Sequence, residues 1–143
     1  MSMYPPETLD PEEDNGTMPD NVETLASAVI GHRIVSAEAT TYPPSRYQSL
    51  RGMNTTGLLL TLDDGTKVRL ANTVDCCAFT DLEAFLLHPD KVDHIIIGVG
   101  TTESYTRWHI YADMGDVLEL TVGWSAGNPF YYGYGFDIDV VPA

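Results

Sequence analysis

The chain has 143 residues, 43% of them hydrophobic, with 21 Asp and Glu against 7 Lys and Arg and a net charge of −14. That length suits one domain with a single core. The acid excess argues against direct contact with a nucleic-acid backbone, where Lys and Arg must replace condensed cations, and against an anionic membrane surface.

Residues 1–22 are rich in Pro, Glu, Asp, Asn and Gly. They read as a disordered acidic tail, because they offer too little apolar surface to offset the entropy of ordering. Residues 1–23 hold seven acids and no base. The opening "MSMYPPETLDPEEDNG" has no basic region and no apolar run, so no secretory signal is expected. No apolar run in the chain approaches the ~18 residues of a membrane span. Residues 23–143 are expected to form one α+β domain. In "NVETLASAVIGHRIVSAEA", Asn21 is placed to cap a short helical turn through Leu25 and Val29. Gly31 ends that turn, and Ile34 and Val35 begin a strand. "TTYPPSRYQSLRGMNTTG" (40–57) reads as a long loop or irregular edge.

"GLLLTLDDGTKVRLAN" carries the clearest local signal. Leu58, Leu60 and Leu62 alternate, as do Val68 and Leu70, around an Asp63–Asp64–Gly65 turn. "FTDLEAFLLHP" predicts a helix over 80–88. Thr80 and Glu83 make a capping-box pattern, Leu82, Phe85 and Leu86 share one helical face, and Pro89 marks the stop. His88 would then stand at a helix C-terminus. "DHIIIGVG" predicts a buried central strand. "TRWHIYAD" sets Trp108 and Ile110 against His109 and Tyr111, and "MGD" turns the chain. "VLELTVGW" puts Leu118, Leu120, Val122 and Trp124 on one face. The last strand points Phe136, Ile138 and Val140 inward and Asp137 and Asp139 outward. The sum is an α+β fold: a mainly antiparallel twisted β-sheet of six or seven strands with one or two short helices packed on it.

Chemistry is sparse. Cys76 and Cys77 are adjacent, so in a strand their side chains point to opposite faces. Zinc and redox motifs instead separate their cysteines by two or more residues. Together with His109 they are weak metal candidates, and two cysteines cannot form a disulfide framework. No nucleophile elbow or paired catalytic signature is present, so no catalytic residue and no cofactor is assigned. Asp113, Asp116 and Glu119 near one turn, or Asp137 and Asp139 on one strand face, offer oxygen ligands for a divalent cation, although the calcium-loop pattern is absent. The best binding candidates are aromatic: Trp124, Asn128, Phe130, Tyr131, Tyr132 and Tyr134 in "GWSAGNPFYYGYGF", with Tyr42, Arg46, Tyr47 and Arg51 of the long loop. Tyr and Trp supply rigid contact area with a polar tip.

"DCCA" (75–78), "WHIYAD" (108–113) and "GWSAGNPFYYGYGF" (123–136) resemble a domain family of actinobacterial phages and prophages that has no assigned activity. The likeness runs over residues 28–141. It implies an accessory protein working in the cytoplasm of a bacterial host, with a virion location as the rival. The expected function is non-enzymatic binding of a host or phage protein through a basic patch on that partner. The alternatives are a small metal-binding protein or enzyme using the Cys, His and acid groups, and a structural component of the virion. Self-association through an exposed sheet edge stays open.

Overall fold

The computed structural model describes residues 4, 5, 7, 17–42, 55–75, 78–125 and 135–142. Helix α1 spans Thr17–Val29. Its buried residues Met18, Asn21, Leu25 and Val29 fall at helical spacing, so one stripe faces the core. Gly31 then takes a left-handed φ of 89°, as the sequence suggests for the helix stop. Two expectations change here. Residues 17–22, read as tail, are helical. Asn21 lies inside the helix instead of capping it, because the apolar stripe starts a turn earlier, at Met18.

Two antiparallel sheets follow. The first is ordered β1-β2-β3-β9, from β1 (Ile34–Tyr42), β2 (Thr55–Leu62), β3 (Lys67–Ala71) and β9 (Asp137–Val141). The second is ordered β4-β5-β8-β7-β6, from β4 (Thr73–Asp75), β5 (Ala78–Leu87), β6 (Gly98–Thr102), β7 (Arg107–Ala112) and β8 (Gly115–Ser125). The fold is therefore mainly antiparallel β, as expected, but split between two sheets. The chain changes sheet at Asn72, the single residue between β3 and β4. Asn72 ties the junction: its Oδ1 accepts from the Leu82 N–H at 2.8 Å. The β2–β3 hairpin forms as read, with Leu58 facing Leu70 and Leu60 facing Val68.

The predicted helix over 80–88 is strand β5. A register shift between Leu82 and Ala84 inserts an extra residue, so Leu82 pairs with Val122 and Phe85 with Leu120. Both apolar side chains face inward although they are three residues apart, which is helical spacing produced by a β-bulge. Thr80 caps nothing. It is fully buried opposite Trp124, and its hydroxyl has no hydrogen-bond partner among the described residues. His88 consequently follows a strand, not a helix. "DHIIIGVG" is also corrected: β6 lies at a sheet edge, and Ile95 and Ile97 are exposed on either side of buried Ile96. Val140 pairs with buried Val68 and so shares its face, as expected, but on edge strand β9 it stays 45% exposed.

One apolar core joins both sheets and the helix. It includes Leu25 and Val29 from α1, Leu58, Leu60 and Leu70 from the first sheet, and Trp108, Ile110, Leu118 and Leu120 from the second. Trp108 meets Phe136 edge-to-face at 5.3 Å and donates its indole N–H to Tyr105 O at 2.9 Å.

Candidate functional site

Alternation along β7 sends Trp108 and Ile110 into the core and puts His109 and Tyr111 on the outer face. Register places Glu119 of β8 directly opposite His109. Asp116 should by parity face inward with Leu118 and Leu120. A register shift between Ile110 and Tyr111 sets Asp116 opposite Tyr111 instead, on the outer face. The result is a polar cluster laid over the sheet.

His109 is 7% exposed and holds a contact at each ring nitrogen. Its Nδ1 lies 2.9 Å from Asp116 Oδ2, and its Nε2 lies 2.8 Å from Thr102 Oγ1. One neutral tautomer satisfies both: Nδ1–H donates to the carboxylate while Nε2 accepts from the hydroxyl. Glu119 is held between His88 Nε2 at 2.7 Å and the Arg107 guanidinium at 3.0 Å. Tyr4 forms the roof. Its ring stacks on His109 with centroids 4.1 Å apart and an interplanar angle of 12°, and its hydroxyl donates to Asp116 Oδ1 at 2.6 Å. Burial first, and then that hydrogen bond to a carboxylate, push the Tyr4 hydroxyl well above its usual pKa, so it stays protonated.

The His88 hydrogen bond, followed by Arg107, holds Glu119 below the ordinary carboxylate value of 4.5. A depressed folded-state pKa stabilises above the unfolded value and loses that contribution as pH falls through the folded one. Stability contributed by Glu119 should therefore be complete above pH 4.5 and decline below it. Urea unfolding at pH 6 and at about pH 3 is expected to show a smaller acid loss in Glu119→Gln than in the natural chain.

The ligand-type atoms of His109, Asp116 and Glu119 lie within 4.8 Å of one another. Of the metal candidates read from sequence, His109 is thus brought to two acids, while Cys76 and Cys77 lie outside the described residues. Asp113, grouped with Asp116 and Glu119 by sequence, turns away to an exposed pair with His94 at 2.9 Å. Asp137 and Asp139 face β3, with Asp139 3.7 Å from Arg69. A second group, His32, Asp63 and Asp64, sits at the exposed β2–β3 turn, where the His32 hydrogen bond holds Asp63 below its usual value.

The aromatic candidates divide. Asn128, Phe130, Tyr131, Tyr132, Tyr134, Arg46, Tyr47 and Arg51 lie outside the described residues. Tyr42 ends β1. Trp124 packs against the core, and its indole N–H donates to Ser104 O at 2.8 Å. Sequence reasoning missed Tyr4, Glu7, Thr102 and Arg107. The one local signal was "GVG" at 98–100, since glycines inside a strand often mark a close approach of other groups. A Cβ at Gly100 would collide with the Tyr4 ring.

These features define a two-sheet, mainly antiparallel α+β protein with a closed polar cluster on one sheet face. The chain belongs to the DUF7448 family, a domain of unknown function whose model matches residues 27–138. No curated protein and no solved structure matches it. Among the described residues, no helix is long and apolar enough to cross a membrane.

Proposed function

We propose that this protein is a non-enzymatic binding module that engages a protein partner through its acidic surface. The observation carrying this reading is the self-satisfaction of its buried polar cluster. His109, Asp116 and Glu119 each already hold contacts from the chain itself, so the cluster acts as a brace. A catalytic set would instead aim an activated group at open space. The charge supplies the partner's chemistry. Beyond Arg107 the sequence has five acids and no base; Asp116 and Glu119 belong to the cluster, and Asp113, Asp137 and Asp139 remain for the surface. Such a surface steers towards a basic patch and discriminates against acidic surfaces. The resemblance noted above makes a bacterial host or phage protein the favoured partner.

Affinity capture of the tagged full chain from a bacterial lysate, at low and high salt, tests this. One stoichiometric protein, lost at high salt and lost on Asp137→Lys with Asp139→Lys, is the expected result. Capture that survives both charge reversal and high salt would remove the electrostatic basis.

A second reading rests on the closeness of His109, Asp116 and Glu119. One imidazole and two carboxylates are a ligand set for zinc or manganese. An ion there would have to displace the Tyr4 hydroxyl from Asp116 and compete with His88 and Arg107 for Glu119.

A further inference from the structure

The β6–β7 turn is built in an unusual way. Glu103, Ser104 and Tyr105 are three successive non-glycine residues with φ of 56°, 57° and 63°. Each costs ~1 kcal/mol or more in the left-handed region, so the turn must be held by its surroundings. Two indoles hold it: Trp124 donates to Ser104 O at 2.8 Å and Trp108 to Tyr105 O at 2.9 Å. With their carbonyls fixed on the sheet side, the N–H groups of Ser104 and Tyr105 converge outward. Successive N–H groups in such a turn form an anion-binding concavity. The Glu7 carboxylate fills it, Oε1 accepting from Ser104 N–H and Oε2 from Tyr105 N–H, each at 2.8 Å.

A second receptacle lies beside it. Gly100 is the floor, His109 the stacking wall and Asp116 the hydroxyl acceptor for Tyr4. Tyr111 closes one side, edge-on to the Tyr4 ring at 5.4 Å. Both receptacles belong to residues within the family match, whereas both occupants, Tyr4 and Glu7, lie outside it.

We propose that this double receptacle is a peptide-recognition site for a tyrosine followed three residues later by a carboxylate, and that the chain's own Tyr4 and Glu7 hold it closed. The ligand is the Tyr4–Glu7 segment of a second copy of this chain, which carries that spacing. The tyrosine must be unphosphorylated, because Asp116 and Glu119 would repel a phosphate. This inference does not rest on the partner being basic.

The test uses the full chain and a labelled peptide of residues 1–10, read by fluorescence anisotropy. In the natural protein the tethered segment competes at an effective concentration of order mM. The Tyr4→Ala, Glu7→Ala double variant should bind the peptide at least about tenfold more tightly than the natural chain. Peptides carrying Tyr4→Phe or Glu7→Gln should bind the double variant about tenfold more weakly than the unaltered peptide. Adding Gly100→Ala, whose Cβ would enter the Tyr4 position, should abolish binding. If the double variant does not fold, Glu7→Gln alone is read the same way. A folded variant that fails to bind the peptide, or binds it no better than the natural chain, overturns the proposal, as does binding that survives Gly100→Ala.

Discussion

Trp108→Ala is expected to cost about 3–5 kcal/mol of folding stability. Trp108 is fully buried and is the largest of the fully buried side chains. Its removal empties the position where the second sheet meets Phe136, and it removes the indole hydrogen bond to the Tyr105 carbonyl. Domains of ordinary stability have about 5–15 kcal/mol in total, so the variant should sit near the edge of folding. Urea denaturation is the measurement, with a midpoint lowered by about 2 M for an m-value of about 2 kcal/mol/M. Trp108→Phe keeps an aromatic ring but loses the indole donor and part of the buried volume, and should cost about 1–3 kcal/mol. A Trp108→Ala loss below about 1 kcal/mol would mean that the two sheets do not share one core.

Asn21→Ala is expected to cost about 2–4 kcal/mol, a large effect for one polar side chain. Asn21 lies buried on α1 and makes a reciprocal amide pair with the chain leading into β9. Its Nδ2 donates to Phe136 O at 2.9 Å, and its Oδ1 accepts from Phe136 N–H at 2.9 Å. Alanine would leave a buried backbone donor and acceptor unpaired, and each forfeits its desolvation cost. Gly135, at φ 65°, makes the approach feasible, because a Cβ there would strike the Asn21 side chain. Asn21→Asp, which keeps the acceptor but sets a carboxylate against Phe136 O, should be no better than alanine. Phe136 is common to this latch and to Trp108, so the double variant should lose less than the sum of the two single losses. Thermal unfolding of the four proteins in the cycle measures this directly.

These two residues also show what the sequence can convey. Trp108 is legible because it sits in a strict alternation, and period two survives in β7 until the shift near Tyr111. The β2–β3 hairpin is legible for the same reason, with Asp-Asp-Gly marking its turn. Asn21 misleads because a polar residue near a helix start suggests a cap, whereas its partner lies 115 residues away. β5 misleads more deeply. The bulge after Leu82 converts a strand's period into a spacing of three, which is what a helix would show. The same kind of defect hides the polar cluster, because only the shift at the head of β8 brings Asp116 to the His109 face. Local periodicity carries no sign of a bulge until pairing is known. Tyr4 and Glu7 lie in a stretch whose composition alone says disorder, and nothing nearby in sequence marks the turn at 103–105 as their seat.

Whether the His109 cluster braces the chain or holds a metal ion decides between the two functional readings. The most direct measurement is calorimetric titration of zinc, and separately of manganese, into the full-length protein purified without chelator at neutral pH. A brace predicts no saturable binding and no shift in thermal unfolding. One equivalent of either ion bound with micromolar affinity, and lost on His109→Ala, would contradict it and move the assignment to the metal reading.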